Sequence, residues 1–156
     1  MNIGINVIGA ILVAICASPI IYFIASRKNQ EKKLINALKT FATQHHETIG
    51  NYEICGQFIV GVNDRSSTLY FAKQHENELV VEKLLLKEVA GAVVETKYRT
   101  DKHSKSIEHL GIRFLPKRGQ VSEFYWDFYN IQNNFQLNGE LQLADSWVKR
   151  INQIIV

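Results

Sequence analysis

The sequence predicts an α+β protein: an N-terminal transmembrane helix and an amphipathic neck helix, then a bent antiparallel β-barrel of six or seven strands capped by a C-terminal helix. Three observations carry this reading. Residues 2–26 contain no charged side chain, and Arg27, Lys28, Lys32 and Lys33 follow within seven positions. An apolar stripe with helical spacing runs through residues 29–47, and from Tyr52 the period shortens to the alternation of strands. Helical spacing returns near the C-terminus. The chain thus divides into an anchor over residues 1–26, a basic juxtamembrane helix over 27–50 and a folded domain over 51–156.

Residues 3–25 would form a helix of roughly 34 Å at about 1.5 Å per residue, enough to cross a hydrocarbon core of about 30 Å. Twelve of these 23 residues are Ile, Leu, Val or Phe. Each contributes roughly −0.3 to −0.6 kcal/mol near the centre of a span, a sum of about −4 to −7 kcal/mol before Asn6, Ser18 and Pro19 are set against it. Pro19 removes one backbone donor and predicts a kink, which membrane helices tolerate when a neighbouring group satisfies the freed carbonyl. The rival reading as a cleaved secretory signal needs a basic region ahead of a shorter apolar run, and residues 1–9 hold no Lys or Arg. Lipid attachment at Cys16 is disfavoured by the bulky Ile15 before it. A core helix of a soluble protein would show a polar face. The expectation is a retained single-pass anchor in the cell membrane, with the lysine and arginine collar and the soluble domain cytoplasmic and the N-terminus outside.

Charge distribution supports this division. Residues 1–50 hold five basic and two acidic side chains and residues 51–156 hold thirteen of each, so the whole net charge of +3 lies in the first third. The folded part is charge-balanced, and no nucleic-acid partner is expected. Arg27, Lys28, Lys32 and Lys33 read as a topology determinant, with attraction to anionic lipid of up to about 1 kcal/mol per residue as the further reading. Cys16 lies in the apolar run and Cys55 in the domain, which leaves no intramolecular pair and fits free thiols in a reducing compartment.

Along the neck, Leu34, Leu38, Phe41 and His45 recur at spacings of four, three and four, with Ile35 and Ala42 widening the stripe. Two heptads fall short of a coiled coil. Docking on the following domain is the expectation, and a weak homodimer through the neck the alternative. Neither Pro nor Gly separates the span from the neck, so one helix is expected to continue into the other, with Gly50 and Asn51 as the stop.

Strands are predicted over 52–62, 68–74, 79–86, 92–99, 107–115 and 121–129, joined by turns at 63–67, 75–78, 87–91, 100–106 and 116–120. A seventh requires splitting 52–62 at Gly56, or using 135–137. Alternation is clearest late in the chain: Leu110, Ile112 and Phe114 oppose His109 and Arg113, and Phe124, Trp126 and Phe128 oppose Glu123, Tyr125 and Asp127. These two apolar triplets are expected in the core. The closing helix, over 139–155 with Asn138 as its cap, puts Leu141, Ala144, Trp147, Val148, Ile151 and Ile155 on one stripe. That stripe must be buried, and the open end of a strongly bent sheet is the available partner.

This order of elements, with Trp147 inside Ala144-Asp145-Ser146-Trp147-Val148, resembles the pleckstrin-homology-like fold in its bacterial membrane-associated forms. The resemblance covers about two thirds of the chain, from Tyr52 onward, and is one of pattern rather than motif. It implies a seven-stranded bent sheet capped by a helix whose tryptophan packs into the barrel mouth. Phosphoinositide-binding members place several basic residues around the first long hairpin loop, whereas Asn63-Asp64-Arg65-Ser66-Ser67 supplies only Arg65, with Lys73 further along.

The densest charge in the domain is Lys97, Arg99, Lys102, His103 and Lys105, interrupted by Asp101. Lys97 and Arg99 are two apart on a strand and share a face, a geometry suited to a phosphate or lipid headgroup. The competing reading is a solvated loop that protects a sheet edge. The histidines show no zinc-ligand spacing, the glycines no phosphate-cradling pattern, and Cys55 no adjacent base. No cofactor, metal or catalytic motif is expected. The functional expectation is a non-catalytic, membrane-anchored interaction or scaffolding module. Its alternatives are an anionic-lipid sensor, or an accessory subunit contacting an integral-membrane partner through the Gly4, Gly9 and Ala10 side of the span.

Overall fold

The computed structural model describes residues 3–75, 78–101, 104–118, 123–133 and 136–155; for residues 3–10, 101, 104 and 105 it describes the backbone. Anchor and neck form one continuous helix, α1 (Ile3–Gln44). It is the one described helix long and apolar enough to cross a membrane, and no residue of the apolar window is buried within the chain. Pro19 cannot donate to the Ile15 carbonyl four residues back; the Ser18 hydroxyl donates to it instead, at 3.0 Å. The backbone acceptor freed by the proline therefore keeps a partner.

The helix stops earlier than Gly50. His46 takes a left-handed conformation, φ 57°, its N–H bonds to the Thr43 carbonyl at 2.9 Å and the Glu47 N–H reaches back to Ala42 at 2.9 Å. This is the Schellman arrangement, with histidine where glycine is usual.

Among the described residues seven antiparallel strands follow, in two sheets. The first has the order β1 (Asn51–Cys55), β2 (Phe58–Asn63), β3 (Thr68–His75), β4 (Glu78–Leu85); a short 3-10 turn, Leu86–Glu88, leads to the second, β5 (Val89–Asp101), β6 (Ser104–Pro116), β7 (Phe124–Asn130). The long predicted first strand is split at Gly56, which has φ 57°, giving the tight β1–β2 hairpin. In place of the bent barrel expected, the ladders form two separate sheets of four and three strands. Side chains join them: Phe58 meets Phe128 at 4.4 Å between ring centroids, and Phe71 stacks on Trp126 at 5.0 Å. Helix α2 (Glu140–Ile155) adds Ala144, Trp147 and Ile151 to the same core.

Strands β2 and β3 are buried on both faces. Phe58, Val60, Val62, Leu69 and Phe71 point into the core between the sheets. Ile59, Tyr70 and Ala72, on the other face, lie under Leu34, Leu38 and Ala42 of α1, with Ile35 and Phe41 at the margin. The neck thus docks on the sheet through Leu34, Leu38 and Ala42, whereas His45, expected on the same stripe, is exposed at the end of the helix. Gly61 marks the tightest approach, where a Cβ would lie 2.9 Å from Ile49 and 3.0 Å from Leu38.

In the second sheet, Leu110, Ile112, Phe114, Trp126 and Phe128 are buried as alternation requires, but Phe124 is 37% exposed. It pairs with Phe114 at the very start of β7, at the sheet margin. Tyr129 takes its place inside. Leu110 pairs with Tyr129 and Gly111 with Asp127, so Phe128 is the extra residue of a bulge and two successive side chains turn inward. Asn138, expected as the cap of α2, donates its side-chain amide to the Gln136 carbonyl, while the buried Glu140 carboxylate accepts the Asn138 backbone N–H.

Candidate functional site

The end of the domain nearest the apolar span can be identified from contacts. Gln30 and Leu34, the first docked turn of α1, share a small cavity with Gln57 of the β1–β2 turn and Gln74 of β3. Gln57 in turn shares one with Asn130, Asn133 and Glu140. The Asn138 carbonyl lies 3.8 Å from Cys55 Sγ. The near end therefore comprises the β1–β2 turn, the end of β3 and the β7–α2 connection. At the far end, Leu86 bonds to Ser67 and Arg150 of α2 reaches Asp64 at 3.3 Å.

Arg27, Lys28, Lys32 and Lys33 are all exposed on α1 between the apolar run and Leu34. The four form a collar just above the domain's near end. Of the second expected cluster, Lys97 is 67% exposed with the Glu108 carboxylate 3.7 Å away, and Arg99 is exposed on the same strand. Lys102 and His103 lie outside the described residues; Lys105 is paired with Thr100 in the ladder, and its side chain lies outside them too. The turn at 116–120 is described only to Arg118. One feature of this hairpin was not legible in the sequence. The β6–β7 ladder ends at His109 and Asn130, opposite Lys97, so residues 98–101 and 104–107 extend past β7 from the same near end, by about 14 Å of strand.

A cleft of about 380 Å³ between the inner face of β3 and β4 and the edge strand β7 was likewise not legible in the sequence. Phe71, Lys73 and His75 alternate along β3 and so share a face; Glu82 pairs with Phe71 and Val80 with Lys73, placing them beside it. Trp126 closes the floor, Tyr125, Asp127 and Asn130 of β7 form the opposite wall, and Asn133 sits 3.5 Å from His75 Nδ1 at the mouth. Lys73 Nζ donates to Asp127 Oδ2 at 2.5 Å and to its backbone carbonyl at 2.9 Å, which bolts the two sheets together. Burial, then Asp127 and Glu95, push the Tyr125 phenol up to about 12, so it stays a neutral hydroxyl. Asp127 is answered by Lys73, whereas Glu82 has no ion pair or hydrogen bond among the described residues.

A second polar cluster ties α1 to the sheet. The Glu47 carboxylate accepts hydrogen bonds from Tyr70 at 2.6 Å and Ser66 at 2.9 Å, and pairs with Lys83 at 3.4 Å. Burial pushes the Glu47 carboxyl up, but these hydrogen bonds and the Lys83 charge outweigh it and leave it below its usual value. Burial and the Glu140 charge push the Cys55 thiol up to about 11, so it stays protonated and is a poor nucleophile. Among the described residues no three His, Cys, Asp or Glu side chains gather as a metal site would require. Comparison with models of known protein families, with curated proteins and with solved structures finds no match.

Proposed function

We propose that the chain is a single-pass membrane protein whose cytoplasmic, pleckstrin-homology-like domain serves as an interaction or scaffolding module held close to the inner leaflet. The observation that carries this reading is the continuity of α1. One unbroken helix leaves an exposed apolar run, passes a collar of four basic residues and docks within one further turn on the sheet. From Ser26 to Leu34 is about 12 Å of helix, which keeps the domain within a thin layer beside the bilayer, where weak contacts gain from a high effective concentration. The seven strands in two packed sheets, closed by a helix with a buried tryptophan, support the pleckstrin-homology-like reading. The test is carbonate extraction of native membranes followed by detergent pull-down of the tagged full-length chain. Retention in the pellet and stoichiometric recovery of an integral-membrane partner are expected; release into the carbonate supernatant would sink the proposal.

The overhanging β5–β6 hairpin favours a second reading, contact with anionic lipid headgroups. It starts from the end of the domain that faces the span and carries Lys97 and Arg99 on one face. In this reading, full-length protein in nanodiscs protects the hairpin from trypsin when the lipid is anionic and salt is low. Protection unchanged in neutral lipid, or after Lys97→Ala with Arg99→Ala, would remove it.

A further inference from the structure

We propose that the cleft between β3, β4 and β7 receives a cationic group, a guanidinium or an alkylammonium, with Glu82 as its counter-ion and the rings of Phe71, Trp126 and Tyr125 as its walls. Charge decides the class of ligand. The lining holds one lysine, one histidine and two carboxylates, and the lysine donates to both the side chain and the backbone carbonyl of Asp127. The remaining acidic excess is Glu82, half-buried and opposite Phe71 on the cavity-lining face of the sheet. A phosphate would meet the unanswered Glu82 carboxylate there, beside a lysine already paired with Asp127. A cation would meet the Glu82 carboxylate and the accessible ring of Tyr125, whose quadrupole attracts positive charge. Tyr125 stays neutral, and the amides of Asn130 and Asn133 add hydrogen-bonding groups on the β7 side and at the mouth. The volume suits one side chain with its flanking backbone, or a small polyamine.

If the domain is an interaction module, the cation belongs to an arginine or lysine of a protein partner. That source rests on the function proposed above, whereas the chemistry of the cleft does not. The two would fail separately: carbonate release would sink the anchor and leave the following titration untouched.

The experiment uses full-length protein in detergent micelles with ¹⁵N-labelled tryptophan. The chain has two tryptophans; Trp126 floors the cleft, and Trp147 lies on α2 as an internal control. Titration with N-acetyl-arginine amide should shift the Trp126 indole signal saturably with a Kd on the order of millimolar, leaving Trp147 in place. The neutral citrulline analogue and inorganic phosphate should not shift it. Glu82→Gln should weaken arginine amide by about tenfold. A capped Gly-Arg-Gly tripeptide that binds more tightly than putrescine assigns the cation to a protein side chain, and the reverse order assigns it to a free polyamine. Equal shifts from citrulline and arginine, saturable binding of phosphate, or no saturation at tens of millimolar would overturn the proposal. The comparison of arginine with citrulline needs no variant, so it holds even if Glu82→Gln fails to fold.

Discussion

Three residues fix local geometry that the rest of the fold depends on. Glu47 follows the Schellman turn and accepts hydrogen bonds from Tyr70 and Ser66 on the docked sheet, so helix termination and helix docking meet in one carboxylate. Its folded value lies below its unfolded value of about 4.3. Its stabilisation is therefore fully present above that pH and is lost as pH falls through the folded value. Glu47→Gln should cost about 1–3 kcal/mol at pH 7 in urea unfolding of the micellar protein, and the difference from wild type should shrink below about pH 4. His46 holds a left-handed conformation that costs a side-chain-bearing residue roughly 1 kcal/mol, so His46→Gly should raise stability by about that amount in the same assay. Gly111 has the opposite sensitivity. A Cβ there would strike the Trp126 carbonyl and lie 2.5 Å from the Tyr125 ring, so Gly111→Ala should destabilise by about 3 kcal/mol and broaden the Trp126 indole resonance.

At the level of elements, the docked neck decides how the first sheet is used. Its outer face would otherwise expose Ile59, Tyr70 and Ala72, all buried beneath α1. Leu38→Asp should therefore release the helix. Amide exchange should accelerate at Ile59 and Tyr70, while Trp126, in the separate core between the sheets, keeps its protection. The neck stripe, the alternation of β6 and the closing helix were legible because each is periodic over a dozen residues or more. Three features were not. The helix stop depends on a left-handed histidine that no propensity rule favours. The inward turn of Tyr129 depends on a bulge against Gly111, a property of two strands together. The cleft needs β3 and β7 side by side, with Lys73 and Asp127 joined across 54 residues of sequence, and neither strand announces it alone. Lys97 and Arg99 show the converse. Their charges were plain in the sequence, but their position, where β5 begins to extend past β7, came only from the register.

For the whole molecule, the four basic residues and the docked sheet lie on the same side of the apolar run, so topology and domain placement are one question. The N-terminal flank of the span has no Lys or Arg, while Arg27, Lys28, Lys32 and Lys33 all fall within about two turns of its other end. Insertion with this collar on the outside would move all four against the positive-inside bias, and the net +3 of the chain comes from this region. Replacing the four with glutamine and adding three lysines after Met1 should therefore invert the chain. A reporter fused after Val156 should then give the signal opposite to that of the wild-type chain, while the fold of the domain, whose thirteen basic and thirteen acidic side chains are untouched, should persist. The four glutamines alone should give a mixed population, because hydrophobicity drives the insertion of a spanning helix and flanking charge sets its direction. An external reporter on the wild-type chain would place the collar outside. The cleft and the basic hairpin would then face a different set of partners, with the geometry of the domain unchanged.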